Sequence, residues 1–362
     1  MKGSLGFLIF METNKPYFVM IFIQFIYAGM ALFSKVAIEK GMNPFIFVAY
    51  RQAFAVLALA PFAFFLERKK APPISYALLC KVFLVALCGI TLSSNLYYVA
   101  INYTSATFAA ASTNVIPALT FIMAVFLRME NLSLKHLYGV AKVVGSVICI
   151  GGALVVSLYQ GPPIKFMNWY PSVHGDAAGQ SAIKHSSSTD WKRGSLVMLS
   201  ANTAWSLWLV LQASIVKIYP AKLSLTTMQC FFSCIQSTIL AIALERNPSS
   251  WKLGWDVSLL SVAYCGIIVT GITYWLQVWC IEKKGPVFTA IFTPLALLIT
   301  AIFSAFLWKE TLHWGSIGGA IILVGGLYSV LWGKTKEEGL SERSEQREEA
   351  KEQIQLECIT HQ

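Results

Sequence analysis

Residues 106–132 read ATFAAASTNVIPALTFIMAVFLRMENL, and residues 286–312 read PVFTAIFTPLALLITAIFSAFLWKETL. One pattern is written twice, once in each half of the chain. Each copy is an apolar run that closes on an acid, a polar residue and a leucine: Glu130-Asn131-Leu132 and Glu310-Thr311-Leu312. Without gaps, residues 101–145 and 281–325 share 13 of 45 positions, among them Phe108 with Phe288, Thr113 with Thr293 and Gly145 with Gly325. Acids are rare in this chain, so the alignment of Glu130 with Glu310 is the informative part of the match.

Working outward, a membrane-spanning helix needs about 20 mostly apolar residues. Ten stretches meet that requirement: 17–38, 44–66, 76–100, 106–127, 134–157, 194–216, 225–244, 256–280, 287–307 and 313–332. The breaks between them carry turn chemistry. Gly41, Asn43 and Pro44 part the first two spans, Glu67 to Lys70 with Pro72 and Pro73 part the next, and Gly285-Pro286 opens the ninth. Lipid offers no partner to irregular backbone, so the spans are expected as helices. Runs this continuous exclude the roughly ten-residue alternation of an outer-membrane barrel. The first run is too long for a cleaved signal segment and lacks a small-x-small site, so it reads as a retained span.

The expected fold is therefore an all-α polytopic membrane protein with ten transmembrane helices in two five-helix repeats, residues 17–157 and 194–332. An odd number of spans makes the second copy enter from the opposite face. Such inverted repeats are typical of secondary transporters. Residues 1–16 are expected as a cytoplasmic segment, 158–193 as an extracytoplasmic linker rich in Pro, Gly and Ser, and 333–362 as a charged cytoplasmic tail.

Composition agrees. The 362 residues are 56% hydrophobic and 13% charged, about half the charge of a soluble domain. The net charge is +10, although the last thirty residues hold five basic and eight acidic side chains. The basic residues sit in short loops between apolar runs, which points to membrane topology rather than nucleic acid. With the N-terminus inside, the cytoplasmic side receives 18 Lys and Arg against nine outside, Arg51 left aside. Both termini are expected in the cytoplasm. Seven of the eight cysteines lie in or beside apolar runs and no CxxC pair occurs, so buried thiols are expected, with no metal and no cofactor. A phosphate loop, HExxH and GxSxG are absent, and no ionisable groups converge at one membrane depth, so neither an ATP-driven pump nor an enzyme is expected.

The stretch Tyr103 to Ala111, with Asn114-Val115-Ile116-Pro117-Ala118-Leu119-Thr120-Phe121, resembles the plant nodulin-like UMAMIT transporters, also called Walls Are Thin related. So do Tyr50-Arg51-Gln52, Gly285-Pro286-Val287-Phe288 and Thr293-Pro294. The resemblance covers residues 15–335 or so. It implies two EamA-type five-helix domains of the drug/metabolite transporter superfamily. It also implies transport of amino acids, often by bidirectional facilitation, with the indole acid auxin as an alternative substrate. The plasma membrane is the expected location and the vacuolar membrane the alternative.

None of the 18 acids falls at the middle of a predicted span. Carboxylate relays mark many proton-coupled carriers, so facilitated diffusion is expected, with proton coupling the alternative. Glu130 and Glu310 are candidates for a pair of gates at opposite mouths, or for interfacial acids neutralised by neighbouring bases. Arg51 lies roughly 10 Å into the second span at 1.5 Å per residue. It either snorkels to the interface or receives a substrate carboxylate. Neutral polar residues suit a zwitterion or an indole acid. The pathway candidates are Gln24, Asn95, Tyr98, Asn114, Pro117, Trp205, Gln212, Tyr274, Gln277, Thr293 and Pro294, with Gln229 and Gln236 in the same class. Each of these can equally bond a neighbouring helix. Pro117 and Pro294 remove backbone donors and free carbonyls that could face a cavity. Gly315 to Gly319 form a GxxxG pattern for close helix contact, within the chain or in a homodimer. The expected partners are the lipid bilayer and a small-molecule substrate.

Overall fold

A computed structural model describes residues 2–67, 71–103, 112–129, 136–158, 188–307, 318–319, 321–322, 324–337 and 339–340. Among the described residues all regular structure is helical. Helix α1 runs Lys2–Glu39 and α2 Pro44–Phe62, the latter extended by a π-helical turn, Ala63–Glu67. Helices α3 (Tyr76–Val85) and α4 (Leu92–Tyr103) are joined by a π-helical segment, Ala86–Thr91. A 3-10 turn, Thr113–Val115, leads into α5, Ile116–Phe126, and α6 follows at Leu137–Leu158. In the second half α7 is Ser188–Ile218 and α8 Lys222–Leu244. Helices α9 (Val257–Ala263) and α10 (Tyr274–Ile291) are again joined by a π-helical segment, Tyr264–Thr273. Helix α11 is Thr293–Leu307, and α12 covers residues 324–337.

Five stretches among the described residues are long and apolar enough to cross a bilayer: Pro44–Glu67, Tyr76–Ala100, Arg193–Ile218, Lys222–Leu244 and Val257–Ile291. At 1.5 Å per residue, the shortest, with 23 residues, extends about 35 Å against a hydrocarbon core of about 30 Å. Phe22, Phe25, Phe62, Phe65, Ile239 and Ile242 are exposed on the outside of the bundle. That much large apolar surface is unsuited to water and suited to lipid.

The main core joins α2, the α3–α4 stretch, α7, α8 and α10, with Leu59, Val82, Trp208, Leu209, Leu225 and Val278 buried together. Helices α2 and α8 pack antiparallel and are tied at both ends. Glu67 accepts from the backbone N–H of Leu223 (3.1 Å) and Ser224 (2.7 Å), donors that the first turn of α8 leaves without helical partners. At the opposite end Asn43 caps α2 by accepting from Phe45 N (2.9 Å), and its Nδ2 donates to Glu245 Oε2 at 2.8 Å. A carboxylate at a helix N-terminus also meets the positive end of the helix dipole.

Two breaks shape the interior. Gly285 has φ 86° and ψ 170°, a conformation open to glycine, and kinks α10. The other break precedes Pro117. Proline cannot donate to Thr113 O, so Ile116 N takes that carbonyl in a 3-10 bond. Ser112 O is thereby left without its α-helical donor, and Asn202 Nδ2 supplies one at 2.9 Å. The freed carbonyl is thus satisfied by a side chain of α7. The second half breaks at the corresponding place, with α11 starting at Thr293 just before Pro294.

Candidate functional site: a central cavity

A cavity of about 180 Å³ lies inside the bundle. Helix α1 contributes Gln24, Tyr27 and Met30. Arg51 comes from α2, and Ser93, Ser94, Tyr97 and Tyr98 from α4. Thr113 enters from the break before α5 and Ile116 from the start of α5, Asn202 and Trp205 from α7, Tyr274 and Gln277 from α10, and Thr293, Ala296, Leu297 and Thr300 from α11. Among the described residues no acid belongs to this lining.

The lining follows the sequence repeat. At the offset that carries Thr113 onto Thr293, Ser94 pairs with Tyr274, Tyr97 with Gln277 and Ile116 with Ala296; all of these face the cavity. At an offset shorter by two, Gln24 pairs with Asn202 and Tyr27 with Trp205, and these face it too. The change of offset hides the first helices from a gapless comparison. Sequence reasoning missed Tyr27, Ser93, Ser94, Tyr97, Thr113, Asn202 and Thr300; for Tyr27 and Asn202 the available signal was a repeat alignment allowing one gap, and for Ser94 and Tyr97 it was the gapless match to Tyr274 and Gln277.

Arg51 breaks this symmetry. Its counterpart at the shorter offset, Gln229, faces elsewhere, donating to Gln212 Oε1 at 2.7 Å and accepting from Trp208 Nε1 at 3.4 Å. Arg51 is 5% exposed. Its Nε donates to Thr270 Oγ1 at 2.6 Å and its Nη2 to the Tyr274 hydroxyl at 3.2 Å. The guanidinium thus lies within the bundle, at the cavity, and does not snorkel to the end of α2. Close approach makes this possible: a Cβ on Gly266 would lie 2.5 Å from Phe54 Cβ and 2.7 Å from Arg51 O. Glycine there lets the second π-helical segment press onto α2 beside the arginine.

Rings and amides complete the wall. Trp205 stacks on Trp208 with centroids 4.9 Å apart, and Tyr274 lies 5.4 Å from both. Tyr27 donates its hydroxyl proton to Gln277 Oε1 at 3.1 Å, linking α1 to α10 across the cavity wall. Gln24 is buried with its Oε1 unbonded, and it faces the cavity.

Of the pathway candidates, Gln24, Tyr98, Trp205, Tyr274, Gln277 and Thr293 line the cavity together with Arg51. Five do not. Asn95 donates to Thr91 O at 2.8 Å and packs toward α8. Asn114, Pro117 and Pro294 are buried beside the helix breaks without reaching the cavity, and Gln212 bonds Gln229 as above. Gln236 accepts from Thr91 at 2.7 Å, a helix-to-helix bond. Glu130 and Glu310 lie outside the described residues, as does Gly315 of the GxxxG pattern.

A helical bundle with an apolar exterior and a central cavity lined by residues of both halves is the architecture of a small-solute membrane transporter. The EamA-like transporter family matches residues 14–157 and 192–332, and the chain belongs to it. The two matches begin at residues 14 and 192, the same offset that pairs Gln24 with Asn202. Among curated relatives, the Arabidopsis thaliana WAT1-related protein At1g43650 is 56% identical over 335 residues, covering 92% of this chain and 96% of its own length. WAT1-related protein At5g64700 of the same plant is 50% identical, covering 91% and 92%. Within the family the chain is thus a plant WAT1-related, nodulin-like member of the drug/metabolite transporter superfamily. A solved crystal structure superposes with a TM-score of 0.66 at 15% identity, over 87% of this chain and 97% of that one, which establishes a shared fold.

Proposed function

We propose that this chain moves small amphipathic carboxylates, amino acids foremost, by bidirectional facilitated diffusion. Ten spans form two inverted repeats that alternate access to the central cavity. The observation that carries the reading is the buried guanidinium of Arg51 at a cavity lined in register by both halves. A guanidinium binds a carboxylate bidentately, while the unbonded Gln24 oxygen offers an acceptor to a donor group on the solute. Among the described residues no acid lines the cavity, which supports facilitation over a carboxylate proton relay. The same absence supports a second reading. An indole acid such as auxin has a carboxylate and no ammonium, and Trp205, Tyr97, Tyr98 and Tyr274 offer it aromatic walls. Both termini are placed in the cytoplasm and the protein in the plasma membrane, with the vacuolar membrane as the alternative. Glu130 and Glu310 are retained as gates at opposite mouths.

The test is flux into proteoliposomes holding the purified protein, offered a labelled amino-acid mixture and, separately, labelled auxin, with and without a pH gradient. Saturable amino-acid flux without a gradient supports the proposal. Auxin-only flux transfers it to the second reading, and strictly gradient-dependent flux refutes facilitation.

A further inference from the structure

We infer that Thr270 is a positioning residue for substrate: from a π-helical turn it holds the Arg51 guanidinium in place at the cavity. The inference rests on the proposed role of Arg51 as carboxylate anchor.

The π winding sets the polarity of the contact. In α-helical parts of this protein, Thr226, Thr227 and Thr300 hydroxyls donate to the carbonyl four residues back. Thr270 instead donates to Cys265 O, five residues back, at 3.0 Å, inside the segment Tyr264–Thr273. π-helical turns of this kind are rare and frequent at functional sites. With its proton committed to Cys265, the hydroxyl faces Arg51 as an acceptor, and arginine can only donate. A directed chain results, from Arg51 Nε–H to Thr270 Oγ1–H to Cys265 C=O, and each bond polarises the next.

Four residues on, Tyr274 accepts from Nη2, so one helical stretch holds two different nitrogens of the same guanidinium. Their common hold fixes the plane of the group before any solute arrives. A planar carboxylate then meets a preorganised fork, and less ordering is left to the binding step. The first half has no such device. Its own π-helical segment, Ala86–Thr91, places Ile90 where the repeat offset would put Thr270, and Ile90 is packed in the apolar core. Carboxylate recognition is accordingly assigned to one side of the cavity.

The experiment measures equilibrium binding of labelled L-phenylalanine and indole-3-acetic acid to purified protein, each against its primary amide. Wild type, Thr270→Val, Thr270→Ser and Arg51→Gln are compared, with folding checked by gel filtration and melting temperature. Valine keeps the shape of threonine and removes the acceptor; serine keeps the acceptor. The expected result is about a tenfold weaker acid with Thr270→Val, amide binding within twofold of wild type, near-normal binding with Thr270→Ser, and no acid preference with Arg51→Gln. A packing role alone would weaken acid and amide together. If Thr270→Val keeps the acid preference while Arg51→Gln loses it, positioning is wrong and the anchor stands. If Arg51→Gln binds like wild type, or wild type binds neither acid, the anchor falls and this inference with it. Should valine prevent folding, Thr270→Ala takes its place.

Discussion

Glu67 and Glu245 occupy matching places in the two repeats, and each closes its own helix onto the start of the other's. Glu67 ends the α2 stretch and holds the first turn of α8, while Glu245 follows α8 and holds Asn43, the cap of α2. The offset between them is the one that pairs Gln24 with Asn202 in the cavity. The same repeat therefore supplies both the cavity lining and the two ties that keep the antiparallel contact of α2 and α8 closed at each end.

Each tie is a charge-assisted contact on groups that otherwise lack partners. Glu67→Ala is expected to cost about 2–3 kcal/mol and Glu245→Ala about 1.5 kcal/mol, within the range for hydrogen bonds to charged groups. The sites are about 35 Å apart at 1.5 Å per residue, so the double variant is expected to show the sum of the two losses. Thermal unfolding in detergent measures all three. A double variant no less stable than either single one would mean the ties do not act independently.

Arg51→Gln is expected to weaken transport of a carboxylate-bearing solute by about 10- to 150-fold in KM, the equivalent of one charged hydrogen bond. Arg51→Lys is expected to recover little, because an ammonium cannot hold Thr270 and Tyr274 and also present a planar fork. Initial-rate uptake into proteoliposomes over a range of substrate concentrations gives the answer.

Gln52 is fully buried and both polar atoms of its amide are unbonded, away from the cavity lining. Gln52→Leu is expected to raise the melting temperature, corresponding to a gain of about 1–2 kcal/mol from removing buried unsatisfied groups. A lowered melting temperature would show that the amide has a partner such as an ordered water.

Gly285→Ala places a side chain at φ 86° and ψ 170°, a region essentially reserved for glycine that costs an L-residue about 1–3 kcal/mol. Its Cβ would meet only Lys334 Nζ, at 3.6 Å, so the penalty is conformational rather than steric. Lower thermal stability together with slower transport is the expected outcome. Unchanged stability would mean that α10 straightens without cost.

Three adjacent residues show where sequence reading reached its limit. Tyr50, Arg51 and Gln52 share one helical turn and one family motif. Tyr50 donates to Trp251 O at 2.6 Å, Arg51 reaches the cavity, and Gln52 is packed away from it. At 3.6 residues per turn each residue rotates by about 100° along the helix, so neighbours in sequence face different surroundings. Composition cannot say which direction holds lipid, another helix or a void. Asn95 and Gln277 make the same point: both are amides in apolar spans, yet only Gln277 faces the cavity.

By itself the sequence determined the membrane class, the helical breaks and the repeat. Hydropathy, proline and glycine act over a few residues, and the duplicated acid and threonine survive in plain text. Tertiary structure decided which polar groups converge. The π-helical turn at Thr270 and the burial of Arg51 depend on close packing between segments from opposite halves of the chain. That packing is a property of surfaces meeting in space, and no local pattern along the chain records it.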